Sequence, residues 1–174
     1  MTPPPTSSTF TLDDTATPTT NTGSAVRHLR AAGVSVVIDC QGPRLPRIVH
    51  WGADLGELDQ TTLDNLVRAD IQAVVSNVPD LPISPSLLAE HSTGWMGLPG
   101  LIGHRGGRSW STLFELTRVT SHLDPDGSQR VLVDAGDQAA GLELSLTLEL
   151  TPAGVLRTRG TVTSIAGHSE QAYS

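Results

Sequence analysis

The stretch Leu142–Leu150, LELSLTLEL, decides the fold class. Every second residue in it is leucine, and every residue between two leucines is polar or charged. Side chains alternate between the two faces of a β-strand, so this pattern places one face on a hydrophobic core and the other in water. The stretch therefore predicts a half-buried strand of an antiparallel sheet.

Strand patterns and turn signals surround this stretch on both sides. The turn TPAG at 151–154 leads into Val155–Thr163, and the turn DPDG at 124–127 joins Leu113–Leu123 to Gln129–Ala135. Asp, Pro and Gly in such clusters are typical of tight turns. Consecutive strands joined by tight turns predict an antiparallel sheet, and a sandwich is the usual way to cover its apolar face.

The N-terminal half adds a hairpin and one helix. Val34–Asp39 and Leu45–Trp51 have strand patterns and are separated by a Gln-Gly-Pro turn. Apolar residues between Leu63 and Val75 recur at helical spacing, and Asp59 or a nearby threonine can cap the start of that helix. The predicted fold is a mainly β, antiparallel β-sandwich with one inserted helix.

Composition excludes several classes of function. The chain has 174 residues, a net charge of −7 and a single cysteine, Cys40. An acidic balance argues against nucleic acid and anionic membranes as partners, since both need a basic face. One cysteine cannot form an internal disulfide and the N-terminus has no signal-peptide pattern, so we expect a reduced, cytoplasmic setting.

The composition also divides the chain into a tail and one domain. Residues 1–24 are rich in Thr, Pro and Ser and contain few apolar residues, which predicts a flexible tail. Residues 25–174 then form a single β-domain. No apolar run approaches the roughly 20 residues needed to cross a bilayer.

The segment Ser86–Ser111, SLLAEHSTGWMGLPGLIGHRGGRSWS, is the candidate functional loop, called here the 86–111 loop. It shows neither helical nor strand periodicity, yet it holds two tryptophans, two histidines and many glycines. Long irregular loops in compact domains are usually functional or disordered, and disordered segments are poor in aromatic residues. The pattern therefore indicates an ordered, functional loop.

No pattern for metal, phosphate or nucleophilic chemistry is present in the sequence. The histidines form no short-spaced pair on a helix and the single cysteine has no partner, so neither a metal nor a cofactor is expected. There is no nucleophile elbow, and no two carboxylates stand out as an acid–base pair. No catalytic residue is therefore predicted.

Recognition is the chemistry that remains. Tryptophan faces suit the apolar side of a sugar ring, and nearby polar side chains suit its hydroxyl groups. The tryptophans are Trp51, Trp95 and Trp110, and the polar groups near them in sequence are His50, Asp54, His91, His104 and Arg105. The alternative, which composition alone favours, is that the tryptophans only pack the loop onto the sheet.

Two motifs make the sequence similar to a known family. LPRIVHWGADLG at 45–56 and EHSTGWMGLPGLIGHR at 90–105, followed by GLELSLTLEL and GVLRTRGTVTSIAG, resemble the N-terminal β-domain of actinobacterial α-galactosidases. These enzymes belong to family 36 of the glycoside hydrolases. The resemblance runs from about Val34 to the end of the chain, and the two motifs are specific in combination.

The resemblance implies a β-supersandwich that precedes a catalytic (β/α)8 barrel. Family members hydrolyse terminal α-galactosides with retention, and their two catalytic aspartates lie in the barrel. Loops of the N-terminal domain often help to complete the sugar pocket of a neighbouring subunit. The residues that match the motifs become candidates for substrate or subunit contact. The main ones are His50, Trp51, Asp54, His91, Trp95 and Arg105, and the motifs also match at Gly52, Glu90, Gly97, Pro99 and Gly100.

The sequence also departs from the family pattern. Ala89 stands where the family tends to have proline, and Leu98 where it tends to have arginine, which removes a partner for hydroxyl or carboxylate groups. The chain ends before any barrel, so we expect an incomplete supersandwich that has an open edge near Leu142–Leu150 and associates with itself.

These expectations favour an α-galactosidase N-terminal accessory domain or fragment that is not catalytic alone. The alternative is a carbohydrate-binding or subunit-assembly module. The expected partners are a galactoside-type sugar, a separate catalytic barrel or a second copy of the chain. An unrelated hydrolase is the least favoured interpretation, because no catalytic constellation is visible.

Overall fold

The computed structural model describes residues 25–73, 76 and 83–165, and within these ranges the chain forms two antiparallel sheets. The first sheet contains, in spatial order, β1 (Val26–Ala31), β2 (Val34–Asp39) and β3 (Arg47–Ala53). The second contains, also in chain order, β4 (Glu115–Leu123), β5 (Gln129–Asp137), β6 (Leu142–Leu150) and β7 (Leu156–Ser164). The mainly β, antiparallel prediction is confirmed.

The leucine face of β6 forms the centre of the core. All five leucines of this strand are buried, and the residues between them face away from the core. Val36 and Ile38 of β2, Phe114 and the valines of β5 belong to the same cluster. Each fully buried leucine contributes about 2 kcal/mol to folding, so this one strand carries a large share of the stability.

Among the described residues, the α-helix α1 (Gln60–Ala69) covers the other face of the first sheet. The Asp59 carboxylate accepts a hydrogen bond from the Thr62 N–H at 2.7 Å and so caps the helix, as the sequence predicts. Leu63 and Val67 of the helix pack against Val37 of β2. Strand β2 is therefore buried on both faces, between the helix and the second sheet.

Three element boundaries differ from the sequence prediction. The sequence pattern of residues 26–32, which end at Gly33, does not distinguish a helix from a strand, and the structure shows strand β1 there. Strand β3 begins after Pro46, which has no N–H for the sheet and whose carbonyl accepts instead from Leu87 N–H at 2.8 Å. Ile71, predicted to continue the helix stripe, follows the end of α1 and is exposed. The tail at 1–24 and the predicted stripe residues 74–75 lie outside the described residues.

A buried serine anchors a polar network that fixes the turn after β3. Ser35 Oγ donates to the Asp54 carboxylate at 2.8 Å and accepts from Leu55 N–H at 3.0 Å. The Arg30 guanidinium donates to both oxygens of Asp54, each at 2.7 Å. Hydrogen bonds from Arg30 and then Ser35 hold the pKa of Asp54 well below its usual range.

Strand β7 is one of the two edge strands of the second sheet, and it is exposed. Its residues are exposed on both faces apart from Leu156, which is partly buried, and Val162, opposite Leu144 of β6, is 41% exposed. The expectation that Leu142–Leu150 would form the open edge is wrong, because that strand pairs along its whole length with β5 and β7. Within the described residues, the second sheet ends at β7 on one side and at β4 on the other, where a single bridge joins Glu115 to Arg44.

We expect this edge to make the chain associate with itself, because an open edge strand pairs readily with another chain. The change Val162→Lys should weaken the association by about tenfold, since a charge would then lie at the paired edge. The matched control is Val155→Lys, at an exposed position of the turn just before β7. Sedimentation velocity over a concentration series measures the effect, and a wild-type chain that stays monomeric throughout would contradict it.

We also expect the Arg30–Asp54 pair to make stability depend on pH. Because the folded pKa of Asp54 is depressed, its contribution is present above the unfolded value of about 4 and is lost as the pH falls below it. Asp54→Asn should therefore lower the unfolding midpoint by a few degrees near pH 7 and have progressively less effect towards about pH 2.

Thermal melts of both proteins across this pH range measure the difference. Glu143→Gln, at an exposed position on the outer face of β6, is the control and should leave the pH profile unchanged. A difference between Asp54→Asn and wild type that is equally large at both ends of the range would rule out the ionised carboxylate as its cause.

Candidate functional site

A buried arginine ties the 86–111 loop to the second sheet. The guanidinium of Arg105 donates to Ala140 O and to Ser164 Oγ, both at 3.0 Å. Only 8% of this residue is exposed. The sequence predicts Arg105 as a candidate for ligand or subunit contact, and the structure places its side chain inside the domain, on the β5–β6 connection and the end of β7.

Glu90 is the second anchor of the loop. It is 1% exposed, and its Oε1 accepts a hydrogen bond from Phe114 N–H at 2.9 Å. Its own backbone carbonyl accepts from Thr93 Oγ1 at 2.8 Å. Burial raises the pKa of Glu90, while hydrogen bonds from Phe114 N–H and the Thr112 hydroxyl act in the opposite direction.

A 3-10 turn at His91–Thr93 directs the next part of the loop outward. Gly94 closes the turn in the left-handed region at φ 91°, a conformation that glycine adopts without strain. The His91 ring hydrogen bonds through Nε2 to Gly97 O at 2.9 Å. It also lies beside the Trp110 ring, with the ring centroids 6.2 Å apart and the planes tilted by 59°.

The outward part of the loop forms a pocket of about 720 Å³, called here the apolar pocket. Its lining includes His91, His104 and four large apolar side chains with high exposure: Met96 at 91%, Leu98 at 80%, Ile102 at 67% and Trp110 at 68%. Large apolar side chains clustered on a surface are typical of an interaction site. The rigid anchors described above hold this surface in place.

Trp95 has a supporting position inside the loop. Its indole N–H donates to Leu98 O at 3.0 Å, and its ring lies against Gly97, where a Cβ atom would approach it to 2.8 Å. Only glycine fits at this approach without a shift of the ring. These contacts of Trp95 lie within the loop itself, and its role in ligand or subunit contact stays a prediction.

The first motif lies on β3 and in the turn after it, and none of its residues lines the apolar pocket. Trp51 is 62% exposed on β3, and His50 hydrogen bonds through Nε2 to Ala53 O at 3.1 Å. Asp54 is held by Arg30 and Ser35. The structure therefore brings together His91, His104 and Trp110, but does not place His50, Trp51 and Asp54 with them.

Ser35, His28 and Asp54 meet in the described part of the chain but are not arranged as a catalytic triad. Ser35 contacts both His28 and Asp54, but it is fully buried and its single hydroxyl proton goes to Asp54. His28 must then donate through Nε2, at 3.0 Å, and cannot serve as a base for the serine. Burial is also the main reason why the pKa of His28 is lowered.

The carboxylates beside the loop are engaged as structural acceptors. Asp137 accepts from Leu113 N–H at 2.8 Å and from Ala140 N–H at 2.9 Å, one at each oxygen. Glu90 accepts from Phe114, as described above. In the described part of the chain, no group of three or more His, Cys, Asp or Glu side chains could hold a metal, and no helix is long and apolar enough to cross a membrane.

Sequence reasoning missed most of the apolar pocket. Met96, Leu98 and Ile102 line it and are each at least 67% exposed, but the pattern of tryptophans and histidines does not point to them. The usable signal was the presence of large apolar residues in a glycine-rich segment without periodicity, since such residues have no sheet or helix face to occupy. At Leu98 the sequence predicts only the loss of a polar partner, whereas the structure shows an apolar side chain that is 80% exposed.

Comparison with known proteins places these features in a family. The model of the glycosyl hydrolase family 36 N-terminal domain matches residues 44–172. The α-galactosidase of Escherichia coli is 29% identical over 119 residues, which make up 68% of this chain and 15% of that protein.

Solved structures show the same fold. The GH36 α-galactosidase AgaA of Geobacillus stearothermophilus superposes with a TM-score of 0.61 at 16% identity, over 80% of this chain and 22% of its own. AgaB of the same organism gives 0.58 at 15% identity, over 85% of this chain and 22% of its own. The chain thus spans less than a quarter of the length of these relatives. It belongs to the glycosyl hydrolase family 36 N-terminal domain family.

Proposed function

We propose that this chain is an accessory domain of an α-galactosidase and that its apolar pocket contacts the catalytic barrel. The observation that carries the proposal is the exposed cluster of Met96, Leu98, Ile102 and Trp110 on a loop with buried anchors. The enzyme class in the proposal, α-galactosidase, is that of the relatives to which this chain is similar.

The character of this surface favours a protein partner. Three of its four exposed side chains are aliphatic or thioether groups, which contribute area but no hydrogen bonds to a polar ligand. Methionine and tryptophan are enriched at protein interfaces, where a buried apolar centre is bordered by polar groups. His91 and His104 provide such a border.

The domain does not break glycosidic bonds by itself under this proposal. A retaining glycosidase needs two carboxyl groups about 5 Å apart, one acting as nucleophile and one as acid and base. The carboxylates beside the loop, Glu90 and Asp137, are buried and accept backbone hydrogen bonds. The catalytic pair would belong to the barrel.

A second role, contact with a galactoside-type sugar, is favoured by one observation. His91 and Trp110 lie side by side in the apolar pocket, so that an aromatic face adjoins a polar ring. Sugars bind to such combinations through C–H groups and hydroxyls. Both roles use the same surface, and they differ in whether galactosides bind in the absence of a barrel.

We expect the chain to co-purify with a barrel that lacks its own N-terminal domain. The suitable partner is the remainder of the Escherichia coli relative without the segment matched here, co-expressed with this chain. Leu98→Asp should reduce co-purification at least tenfold, about 1.4 kcal/mol, because a carboxylate would be buried in an apolar contact. The matched control is Leu123→Asp, an equally exposed leucine at the end of β4, which should have no effect.

Equal recovery of wild type and Leu98→Asp would show that the apolar pocket is not the contact surface. A sugar-binding role would instead appear in calorimetry of the chain alone with raffinose. Heat that disappears in Trp110→Ala, but not in Trp51→Ala, would favour that second role.

We also expect the purified chain to hydrolyse an aryl α-galactoside no faster than buffer. The physical reason is that neither buried carboxylate beside the loop is free for acid–base work. Release of the chromogenic aryl group measures the rate, and the co-purified complex is the positive control. A rate well above buffer for the chain alone would refute the non-catalytic assignment.

A further inference from the structure

The edge of the second sheet at β7 is regular and presents its backbone groups in a defined pattern. The strand pairs with β6 along its whole length without a register shift. Thr151 N–H donates to Val155 O at 3.0 Å just before the strand, so the odd-numbered residues of β7 direct their backbone groups towards β6. The N–H and C=O groups of Thr158, Gly160 and Val162 therefore point out of the sheet.

Two other edges, at β4 and β1, are obstructed. The register of β4 shifts between Leu116 and Arg118, and Leu116 N–H donates to Pro43 O at 2.8 Å. On β1, the side-chain amide of Gln129 accepts from Arg30 N–H at 3.2 Å and donates to Arg30 O. A bulge, or a side chain that occupies the backbone groups of an edge residue, hinders pairing with a further strand. Strand β7 has neither obstacle.

The two faces of β7 require different side chains in an added strand. Val162 lies on the core side of the sheet and is largely exposed. Leu146 fills the space over Gly160, since a Cβ atom there would lie 3.0 Å from Leu146 Cδ2. On the outer face, none of the ion pairs among the described residues includes Arg159. An added strand should therefore have apolar residues on its core side and a carboxylate opposite Arg159.

One segment of the chain outside the described residues has this sequence pattern. It is Thr9–Asp13, TFTLD, in which two apolar residues alternate with two threonines and an aspartate. In a strand, this alternation places the apolar residues on one face and the aspartate on the other. The nearest prolines are Pro5 and Pro18, so every residue of the segment has an N–H group for an edge.

We propose that Thr9–Asp13 pairs antiparallel with β7 of the same chain and covers this edge. One register satisfies both faces of β7 at once. Its pairs are Asp13 with Arg159, Leu12 with Gly160 and Phe10 with Val162. Directly opposite residues share a face of the sheet and have Cβ atoms about 5 Å apart, so the apolar side chains extend the core side while the carboxylate contacts the guanidinium.

The linker at residues 14–24 is long enough for this pairing. A Cβ atom at Gly154, in the turn before β7, would lie 3.1 Å from Val34 Cγ2, so the β1–β2 turn adjoins the start of β7. Strand β1 therefore begins at the opposite end, and the linker must return over about 20 Å and cross between sheets about 10 Å apart. An extended linker of this length reaches about 36 Å.

This proposal is independent of the barrel contact, because no residue of β7 lines the apolar pocket. It also bears on the self-association expected above. A second copy of the chain competes with Thr9–Asp13 for the same edge, so association between copies requires displacement of the segment. Pairing within one chain does not depend on protein concentration, whereas pairing between copies does.

The test is amide hydrogen exchange, followed by NMR on the ¹⁵N-labelled full chain at a concentration below that of self-association. The N–H groups of β7 that point out of the sheet should be protected. Leu12→Pro should speed their exchange about tenfold, because proline has no N–H for the C=O of Gly160. The N–H groups of Arg159 and Thr161, which face β6, should exchange equally slowly in both proteins.

Ala16→Pro, the same change placed in the linker, is the matched control and should leave the exchange as in wild type. Asp13→Lys should also speed the exchange, and adding Arg159→Asp should restore the protection. Equal exchange in wild type and Leu12→Pro would overturn the proposal. So would protection that appears only as the protein concentration rises, because a second copy would then cover the edge. A charge exchange that does not restore protection would overturn the register.

Discussion

The apolar face of β6 has to be covered, and this constraint organises the rest of the domain. Five leucines on one side of a single strand cannot remain in water, so the first sheet packs across them through Val36 and Ile38 of β2. The first sheet is then itself buried on its far side by helix α1. A helix, a three-stranded sheet and a four-stranded sheet follow one another as layers because each has an apolar face that the next one covers.

Most of this architecture could be predicted, because it depends on local periodicity. Local sequence patterns predict structure that the folded chain contains. Examples are the alternation in Leu142–Leu150, the DPDG turn and the Asp59 cap. The strand β1 was left open because six residues with mixed polarity fit either element, and only pairing with β2 makes it a strand. The position of the open edge was misjudged because the pattern of β6 does not reveal which strands lie beside it.

The candidate site was far less predictable, because its order comes from contacts distant in sequence. The loop sequence identified the aromatic residues, but Arg105 finds its partners about 35 and 59 residues away, and Glu90 binds a backbone N–H 24 residues away. No pattern of neighbouring residues predicts contacts between residues so far apart in sequence. Charged residues in a glycine-rich loop are usually solvated, so burial of these two was the less expected outcome. The two buried charged residues therefore hold the loop in place, whereas the exposed residues of the loop form its surface.

The contact between Arg105 and Ser164 links the loop to the end of the edge strand β7. Ser164 is the last residue of β7, and the same guanidinium also holds the β5–β6 connection at Ala140. The final residue of this edge strand and the loop are therefore held together by the same guanidinium group. Loss of the Arg105 guanidinium would therefore release the loop, the β5–β6 connection and the end of β7 together, although these segments are far apart in sequence.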